Sequence, residues 1–513
     1  MATARQKFIL IILDGLGLRD AREANAFVLA RTPIFDRLFS TCPWTSIEAS
    51  GEAVGLPTGV IGNSEVGHTT IGAGRIVKHD LIRVNDAVDD RSLGKRSEFA
   101  AVIDYVRQKE CSLHLMGLVS DGGVHSHIDH CLELLSVVKE TGLENVCLHA
   151  ITDGRDTSPR GGKDYVRQII DRMNELELGE ISTITGRYFA MDRDKRWDRT
   201  EKAYRAMMAG EGEPASDAII AIEKSYANGV TDEFIEPIIV TDDSEKISTV
   251  GPDDALFCFN FRADRMRQIC RAIGDERFDK FTTVQQPVFL TSMTSYDSSF
   301  SFPVMFEPVE ISQQLGTLLQ ESGYRQLRVA ETEKYAHVTY FFNCGEESPF
   351  PNEKRILVQS PRVATYDLMP EMSAYGIQDT VLRAFDSDQF DCAVMNLANP
   401  DMVGHTGNLE AAVRATEVSD SVLGEVLDAV IDSGAMAIVT ADHGNCEMMI
   451  DEQTGDEHTA HTMNPVPFVL VNADSSTGLR QGGGLADVAP TILDLLNIPA
   501  PEEMTGRSLL LKQ

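Results

Sequence analysis

Residues 8–15 read Phe-Ile-Leu-Ile-Ile-Leu-Asp-Gly, an apolar run that ends on Asp14 and Gly15. A short, unbroken apolar run closed in this way is typical of a parallel strand that is buried on both faces. Two later runs have the same form, and each precedes an aspartate and a histidine: residues 392–397 before Asp401 and His405, and residues 435–439 before Asp442 and His443. Open α/β sheets carry their chemistry at the carboxyl ends of their strands, so these acids and the later His461 predict one shared metal site.

The composition is that of an ordinary globular protein. The chain has 513 residues, of which 42% are hydrophobic and 24% are charged, enough for two to four domains of about 150 residues each. A formal net charge of −33 argues against binding to nucleic acid or to an anionic membrane, because both need an excess of lysine and arginine. An anionic ligand must therefore be captured by a local basic pocket, and we expect a small-molecule substrate.

The cysteines and the apolar segments indicate a reducing compartment. Nine cysteines are scattered without a Cys-x-x-Cys pair, which favours reduced thiols over a disulfide framework or a zinc ribbon. The first apolar run is too short for a signal peptide, and no stretch approaches the roughly 20 apolar residues of a membrane span. We therefore expect a cytoplasmic monomer without membrane contact.

Short apolar runs alternate with longer amphipathic patterns, which indicates an α/β fold of mainly parallel sheets flanked by helices. Such runs lie at residues 113–119, 146–151, 181–184, 256–261 and 288–290, with helical patterns at 128–139 and 163–178. If Asp14 shares a site with the C-terminal aspartates, the metal-binding domain is discontinuous. We expect it to span residues 1–78 and 311–513, around an inserted substrate-binding domain of residues 79–310. The segment 301–308, with Pro303 and Pro308, is typical of an extended linker.

The ligand types restrict the metal. Asp401 and His405 are four residues apart, which places both on one face of a helical turn, whereas the adjacent Asp442 and His443 need a loop to reach one ion. Three carboxylates and three imidazoles without cysteine suit Mn²⁺ or Zn²⁺ better than Mg²⁺, and six ligands are natural for two ions. A single Asp–His pair is more often a structural hydrogen bond, but three strand-end acids with three histidines favour a metal site.

A serine in a glycine-rich stretch is the candidate nucleophile. Ser64 lies in Gly-Val-Ile-Gly-Asn-Ser-Glu-Val-Gly-His, residues 59–68, where the glycines let the backbone approach a ligand. A serine alkoxide bound to a metal becomes nucleophilic near neutral pH, and two ions held by Asp and His are typical of phosphoryl transfer. Taken alone, the same stretch is weak evidence for a nucleophile and is more often a tight turn.

Positive charge is concentrated in the expected inserted domain, after its predicted strands. The arginine fork binds carboxylate and phosphate through two bonds, so a group of arginines fits a small ligand that carries both. The candidates follow four different strands: His125, Arg155, Arg187, Arg193, Arg262 and Arg265. Each arginine alone is more often part of a surface ion pair, and it is the recurrence after strand ends that predicts an anion site.

At these residues the chain closely resembles the cofactor-independent (2,3-bisphosphoglycerate-independent) phosphoglycerate mutases of the alkaline phosphatase superfamily. The similarity extends over nearly the whole chain through these motifs: Leu-Ile-Ile-Leu-Asp-Gly at 10–15, Gly-Asn-Ser-Glu at 62–65, Asp-Gly-Arg-Asp-Thr at 153–157, Phe-Arg-Ala-Asp-Arg at 261–265, Glu-Lys-Tyr at 333–335, Asn-Pro-Asp at 399–401 and His-Thr-Met-Asn-Pro at 461–465. One departure is Cys344, where the family more often has glycine.

The resemblance implies an alkaline-phosphatase-like metal domain, two Mn²⁺ ions and a phosphoserine intermediate at Ser64, without bisphosphoglycerate. Zn²⁺, Co²⁺ and Mg²⁺ stand as alternative metals. One ion would be held by Asp401, His405 and His461, and the other by Asp14, Ser64, Asp442 and His443. The residues implied around the phosphoglycerate are His125, Arg155, Asp156, Arg187, Arg193, Arg262, Arg265 and Lys334.

Together these expectations describe an isomerase of glycolysis and gluconeogenesis that interconverts 2-phosphoglycerate and 3-phosphoglycerate through Ser64. Asp156 is the expected general base toward the glycerate hydroxyls, ahead of Asp14 and Glu333, and Lys334 would neutralise the transferring phosphoryl group. Closure of the two domains, with hinges near residues 78 and 305, would keep water out. The alternatives are a two-metal phosphatase, phosphodiesterase or phosphopentomutase of the same superfamily, and a non-catalytic metal or phosphometabolite sensor.

Overall fold

The structure is a computed structural model that describes residues 5–241, 247–284, 287–387, 389–451, 454–474 and 477–511. The chain forms two compact units: unit 1 consists of Met1–His79 and Glu310–Gln513, and unit 2 of Asp80–Val309. Unit 1 is discontinuous in sequence, and unit 2 is a single continuous insertion. All nine cysteines lie among the described residues, and none of them is in a disulfide.

The strands of both units are short. They are β1 Phe8–Leu13, β2 Trp44–Ile47, β3 Leu113–Leu118, β4 Val146–Thr152, β5 Glu180–Gly186, β6 Glu213–Ala215, β7 Ile238–Val240, β8 Ala255–Cys258, β9 Phe289–Thr294, β10 Val304–Phe306, β11 Gln326–Glu331, β12 Glu353–Val358, β13 Cys392–Leu397, β14 Met436–Thr440 and β15 Val466–Val471.

The helices alternate with these strands along much of the chain. They are α1 Ala26–Leu29, α2 Pro33–Thr41, α3 Ser64–Ala73, α4 Asp80–Asp89, α5 Ser97–Lys109, α6 Ile128–Glu140, α7 Gly162–Leu176, α8 Arg187–Ala190, α9 Trp197–Ala209, α10 Ala218–Ala227, α11 Arg267–Gly274, α12 Leu315–Glu321, α13 Ala374–Asp386, α14 Asn399–Gly404, α15 Leu409–Asp432 and α16 Val488–Leu495. No helix in the described ranges is long and apolar enough to cross a membrane.

Unit 1 contains a sheet with the strand order β12-β11-β13-β1-β14-β15-β2. The pairs from β12 to β14 are parallel, and β15 is antiparallel to both of its neighbours. β1 lies in the middle, and each of its six residues is buried, which explains why this strand is apolar at every position. Its register pairs Leu13 with Leu397 of β13, and Ile12 with Thr440 of β14. The carboxyl ends of β13, β1 and β14 therefore meet at one edge of the sheet.

Unit 2 contains a second sheet with the order β10-β9-β8-β3-β4-β5-β7-β6. The strands from β10 to β5 are parallel, and only the β5–β7 pair is antiparallel. The register places Leu118 of β3 beside Ile151 of β4, and Thr152 of β4 beside Gly186 of β5. The loops that follow β8, β3, β4 and β5 thus leave the same edge of this sheet. The predicted fold class, α/β with two mainly parallel sheets flanked by helices, is confirmed.

The predicted linker at residues 301–308 is wrong in part. Val304–Phe306 forms β10, which pairs in parallel with β9 and lies at the edge of the sheet of unit 2. Met305 and Phe306 are buried in the core of that unit, so residue 305 is not a free hinge. Pro303 and Pro308 flank the strand instead of breaking it, because an edge strand tolerates proline, which cannot donate a backbone hydrogen bond.

Candidate functional site

The strand ends of unit 1 bring the acidic and histidine candidates together. Asp14 follows β1 directly, Asp401 lies in α14 after β13, and Asp442 and His443 lie in the loop after β14. These four side chains are buried. The helical turn predicted for Asp401 is present as α14, and its C-cap is His405.

One group of candidate metal ligands consists of Asp401, His405 and His461. Asp401 Oδ1 lies 3.2 Å from His405 Nε2 and 3.3 Å from His461 Nε2, and the two imidazole nitrogens are 3.2 Å apart. Ligands at about 2.1 Å from a tetrahedral ion lie roughly 3.4 Å from one another, so this spacing fits a small divalent cation.

The protonation of both imidazoles follows from their other contacts. His405 Nδ1 lies 2.7 Å from the carbonyl oxygen of Thr459, and His461 Nδ1 lies 2.8 Å from that of Gly62. A carbonyl oxygen can only accept, so each Nδ1 carries a proton, which leaves Nε2 as the ring nitrogen that could bind a cation. The donor set therefore fits a metal ion in chemistry as well as in spacing.

A second group surrounds Ser64, the first residue of α3. Ser64 Oγ lies 3.2 Å from Asp14 Oδ1 and 2.9 Å from His443 Nε2. His443 Nε2 is in turn 3.5 Å from Asp14 Oδ1 and 3.5 Å from Asp442 Oδ2. Asp14 and His443 form a candidate metal-binding group with Asp401, and Asp14 forms another with His68 and Asp442. Three carboxylates, a hydroxyl and imidazoles suit a second ion close to the first.

Ser64 occupies a helix N-terminus, and this was not expected from the glycine-rich stretch. Asn63 caps α3 by accepting a hydrogen bond from Val66 N at 3.0 Å. Gly67, in the first turn, packs so closely on the next segment that a Cβ would lie 2.6 Å from the carbonyl oxygen of Asp442. The helix can therefore approach the loop after β14 only with glycine there. A helix N-terminus also favours negative charge, such as that of a phosphate group.

Lys334 lies at the point where these groups meet. Its Nζ is 2.5 Å from Asp14 Oδ1, 2.6 Å from Ser64 Oγ and 2.7 Å from Asp401 Oδ2. The side chain is buried with only 4% exposed, so its charge is compensated by these oxygens and not by water. Three oxygens converging on one buried cation show that this pocket attracts positive charge.

The charges in this cluster are strongly coupled. Burial alone would raise the pKa of Asp14, but the Lys334 ammonium and a hydrogen bond from His443 hold it well below its usual value. Burial would lower the pKa of Lys334, and Asp14 and Asp401 outweigh it, so the pKa is raised. For His443, burial is outweighed mainly by Asp442 and by the hydrogen bond to Asp14, and the pKa rises to about 9. A metal ion must displace this proton in order to bind His443.

The strand ends of unit 2 carry the arginine candidates. Arg187 follows β5, is 2% exposed, and its Nη1 lies 2.6 Å from Asp153 Oδ1 and 2.5 Å from Asp156 Oδ2. Asp153 follows β4 and also accepts a hydrogen bond from Ser120 Oγ at 2.7 Å. Asp156 is therefore oriented by a buried guanidinium whose Nη1 is shared with Asp153.

A second carboxylate, Asp264, connects the remaining members of this group. Arg193 Nη1 lies 2.8 Å from Asp264 Oδ2, and Arg262 Nε lies 3.3 Å from its Oδ1. His125 lies between the two carboxylates, with Nδ1 3.6 Å from Asp264 Oδ1 and Nε2 3.8 Å from Asp156 Oδ2. Burial, and then the nearby Arg187, lowers the pKa of His125 to about 4, so this imidazole is neutral at physiological pH.

The two outer arginines complete the set. The pKa of Arg265 is lowered by burial and then by Arg187, Arg193 and Arg155, which places these guanidinium groups near one another. Arg265 Nη1 donates to the carbonyl oxygen of Met191 at 3.0 Å, and Arg155 lies 3.7 Å from a carboxylate oxygen of Glu233. Like charges gathered in this way favour an anionic ligand that neutralises them.

We call Ser64, Lys334 and the candidate metal ligands of unit 1 the metal-side cluster. Several residues that belong to it or contact it were not identified from the sequence. His68 Nδ1 lies 2.9 Å from the carbonyl oxygen of Ser64 and 3.2 Å from Asp442 Oδ2, so it donates to them. Asn396 Nδ2 donates to Asp14 Oδ2 at 2.6 Å and faces His68 Nε2 at 3.2 Å. Asn445 donates to Asp401 Oδ1 at 3.0 Å. The spacing of His68, four residues after Ser64, was the available signal.

Two other residues that the sequence singled out are Glu333 and Cys344. Glu333, which ranked with Asp14 behind Asp156 as a candidate base, is exposed and accepts a hydrogen bond from Tyr366 at 2.7 Å. Cys344, the departure from the family pattern, has a positive φ of 57° where glycine would be unstrained, and its thiol has a pKa raised by burial to about 12.

Fold and site together define a class, namely α/β enzymes that handle phosphate esters at a metal-binding centre. The family model described as BPG-independent PGAM N-terminus matches residues 84–298. A 2,3-bisphosphoglycerate-independent phosphoglycerate mutase of Clostridium novyi is 48% identical and covers 99% of both chains. A second such mutase, from Methanosarcina barkeri, is 48% identical over 100% of both.

A solved structure agrees with these relatives. The crystal structure of Leishmania mexicana phosphoglycerate mutase at low cobalt concentration aligns with a TM-score of 0.69 and 31% identity, covering 100% of this chain and 99% of that one. The chain belongs to the 2,3-bisphosphoglycerate-independent phosphoglycerate mutases, which are isomerases.

Proposed function

We propose that the protein interconverts 2-phosphoglycerate and 3-phosphoglycerate by passing the phosphoryl group through Ser64. The observation that supports this proposal most directly is the position of Ser64 Oγ, which lies within 3.2 Å of Lys334 Nζ, His443 Nε2 and Asp14 Oδ1. A hydroxyl that lies beside an ammonium group and a protonated imidazole is stabilised as the alkoxide, the form that attacks phosphorus. Full-length relatives that bear this name support the same reaction.

In the proposed reaction the substrate ester bond to phosphorus breaks as the bond from Ser64 Oγ to phosphorus forms. The departing glycerate oxygen takes a proton, for which we propose the carboxyl group of Asp156 as the source. In the return step Asp156 accepts a proton from the other glycerate hydroxyl, which attacks phosphorus while Ser64 Oγ leaves. Ser64 Oγ enters the first step and leaves the second as the alkoxide, its proton having passed to solvent before the substrate binds. The two halves therefore balance without water as a reactant and without bisphosphoglycerate.

Charged side chains have distinct proposed tasks. Lys334 neutralises charge on the transferring group, because its ammonium already donates to Ser64 Oγ at 2.6 Å. The arginines of unit 2 and His125 bind the carboxylate and phosphate of the substrate, and they retain glycerate between the two transfers. A bound anion would also satisfy His125 Nδ1, which is buried without a hydrogen-bond partner among the described residues.

The proposed metal ions are two Mn²⁺, with Zn²⁺, Co²⁺ and Mg²⁺ as the alternatives to compare. One site would consist of Asp401, His405 and His461, and the other of Asp14, Ser64, Asp442 and His443. Bound there, the ions would polarise the phosphoryl oxygens and lower the pKa of the Ser64 hydroxyl. We propose further that one chain is sufficient for activity and that the enzyme acts in glycolysis and gluconeogenesis in the cytoplasm.

A product assay tests this proposal. The purified chain is given 3-phosphoglycerate and Mn²⁺ without bisphosphoglycerate, and 2-phosphoglycerate and free phosphate are both measured. We expect 2-phosphoglycerate as the main product, and mass spectrometry of the quenched reaction should find phosphate on Ser64. Free phosphate as the main product would instead identify a phosphatase, and unchanged turnover in Ser64→Ala would exclude the serine route.

A further inference from the structure

Glu447 is a fully buried carboxylate in the segment after β14, and it has no place in the proposed reaction. Its Oε2 accepts from Gly17 N at 3.0 Å and from Asn445 N at 2.9 Å. Its Oε1 accepts from Asn464 Nδ2 at 2.9 Å and from the hydroxyl of Thr462. Both oxygens therefore have two donors each, which fills the usual hydrogen-bonding capacity of a carboxylate.

The donors come from three separate segments, and each segment carries candidate metal ligands. Gly17 is three residues after Asp14, Asn445 is two residues after His443, and Thr462 directly follows His461. Asp14 and His443 belong to one proposed ion site, and His461 belongs to the other. Through these hydrogen bonds Glu447 connects the backbone segments that carry ligands of both proposed ion sites. It belongs to none of the candidate metal-binding groups itself.

Two glycines allow the loops to pack closely on this carboxylate. A Cβ added at Gly17 would lie 2.5 Å from Glu447 Oε1, and one added at Gly444 would also lie 2.5 Å from it. Only glycine at both positions lets the two loops close on the carboxylate. Backbone bonds reinforce the arrangement, since Thr462 N donates to the carbonyl oxygen of Gly444 at 3.0 Å.

We propose that Glu447 is a positioning residue for the metal centre, which fixes the loops after β1 and β14 and the segment before β15 at the spacing that two ions need. This inference rests on the proposed function because it takes the neighbouring Asp14, His443 and His461 as ligands. Its four donors are neutral groups, so the carboxylate also adds a buried negative charge that favours cations. Residues that orient metal ligands typically contribute about 10–100-fold to metal affinity.

The test compares Mn²⁺ affinity in the full-length, metal-stripped protein by calorimetry. Glu447→Gln keeps the shape but turns one acceptor into a donor that faces other donors, and we expect the dissociation constant to rise about 10–100-fold. Glu447→Asp keeps the charge and both acceptors on a shorter side chain, so its constant should lie between those of Glu447→Gln and the wild type. At saturating Mn²⁺ the KM for 3-phosphoglycerate should change by less than about twofold in both variants.

A matched control is another buried carboxylate of unit 1. Asp420 accepts from Ile34 N at 3.2 Å and from Phe35 N at 2.9 Å, away from the metal-side residues. Asp420→Asn should lower the melting temperature of metal-free and Mn²⁺-loaded protein alike, with an unchanged dissociation constant. If Glu447→Gln behaves in the same way while the wild type binds Mn²⁺, Glu447 is only structural and the inference is overturned, although the proposed function stands. A wild type that binds no divalent cation would overturn both.

Discussion

Lys334 is the residue on which the charge balance of the metal-side cluster depends. It is the ammonium shared by Asp14 and Asp401, whose pKa values it lowers, and it donates to the Ser64 hydroxyl. A buried carboxylate pair without a cation between its members is costly, because both charges have been removed from water. Lys334 therefore has two consequences that can be separated, one for stability without metal and one for turnover with it.

We predict that Lys334→Met destabilises metal-free unit 1 by about 3–5 kcal/mol, the usual effect of leaving a buried ion pair without one partner. Saturating Mn²⁺ should remove most of this loss, because the ions supply the missing positive charge. Turnover should remain reduced by at least about 100-fold even with Mn²⁺, since the charge on the transferring group is no longer neutralised. Thermal unfolding with and without Mn²⁺, together with a kinetic assay, measures both effects.

The matched control for this variant is Lys354→Met, which removes a lysine that is exposed in β12 of the same unit. Its melting temperature and turnover should stay close to those of the wild type. Full turnover in Lys334→Met at saturating Mn²⁺ would mean that the lysine serves stability alone.

Two carboxylates of unit 2 are expected to differ in kinetics, although both bind arginine. Asp156→Asn should lower kcat by about 10²–10⁴-fold, because an amide cannot exchange the proton of a glycerate hydroxyl. Asp264→Asn should mainly raise KM, because Asp264 only orients Arg193 and Arg262. Steady-state kinetics on both variants checks this contrast, and a pure KM effect in Asp156→Asn would remove Asp156 as the general base.

The site residues that directly follow strands could be predicted from the sequence. The residues that contact these from neighbouring elements could not. Asp14, Asp401 and Asp442 stand after apolar runs, and the parallel sheet brings such positions together. Asn396 left no such pattern, and His68 left only its spacing from Ser64, because each is placed by a long-range contact: Asn396 lies within β13, and His68 lies on the inner face of α3. Their roles depend on packing between elements distant in sequence, which a local pattern does not encode.

At the level of elements, apolar runs predicted the central strands closely. The run at 8–13 is β1 and the run at 392–397 is β13, residue for residue. The run at 256–261 was less accurate, because the strand β8 ends at Cys258 and the next residues are buried without pairing as a strand. The edge strand β10 was missed, since its prolines are the residues that usually signal a linker. An apolar run indicates that its residues are buried. Buried residues coincide with a strand only in the middle of a sheet.

The helix α6 carries a histidine that should make unit 2 sensitive to acid. His130 Nε2 lies 2.7 Å from Asn85 Oδ1, and its Nδ1 is buried without a hydrogen-bond partner in the described part of the chain. Burial, and then the nearby His127, lowers the pKa of His130 to about 3. Between pH 6.5 and 3 the unfolded chain therefore binds a proton that the folded chain does not, and stability falls by about 1.4 kcal/mol per pH unit for this group.

We predict that His130→Gln flattens this pH dependence, because glutamine keeps a donor for Asn85 and has no proton to bind. The melting temperature of the variant relative to the wild type should rise steadily as the pH falls from 6.5 toward 4. His79→Gln is the control, since His79 is exposed and its replacement should leave the melting temperature close to that of the wild type. A constant difference between His130→Gln and the wild type would contradict the assignment.

At the level of the whole molecule, the order of the chain implies an order of assembly. β1 pairs with residues of β13 and β14 that lie more than 380 positions later in the chain, whereas unit 2 is complete within Asp80–Val309. Contacts between such distant residues form late, because the loop that they close must first be ordered. Unit 2 can therefore fold while Glu310–Gln513, the second part of unit 1, is still being made, and the metal-side cluster can form only after that part is present.

The two sites lie in different units, so ligands should stabilise the units separately. A ligand at 100 times its dissociation constant stabilises the state that binds it by about 2.7 kcal/mol, and this slows hydrogen exchange in the elements that it connects. We predict that Mn²⁺ alone protects the amides of β1, β13 and β14, because their carboxyl ends carry the proposed ligands. 3-Phosphoglycerate added to the metal-stripped protein should protect the ends of β4 and β5 instead, where Asp153 and Arg187 begin the arginine site.

Hydrogen–deuterium exchange with mass spectrometry measures both patterns, with Arg187→Ala as the control that should lose the second pattern and keep the first. Protection by 3-phosphoglycerate confined to unit 1 would show that the arginine set is not the substrate site.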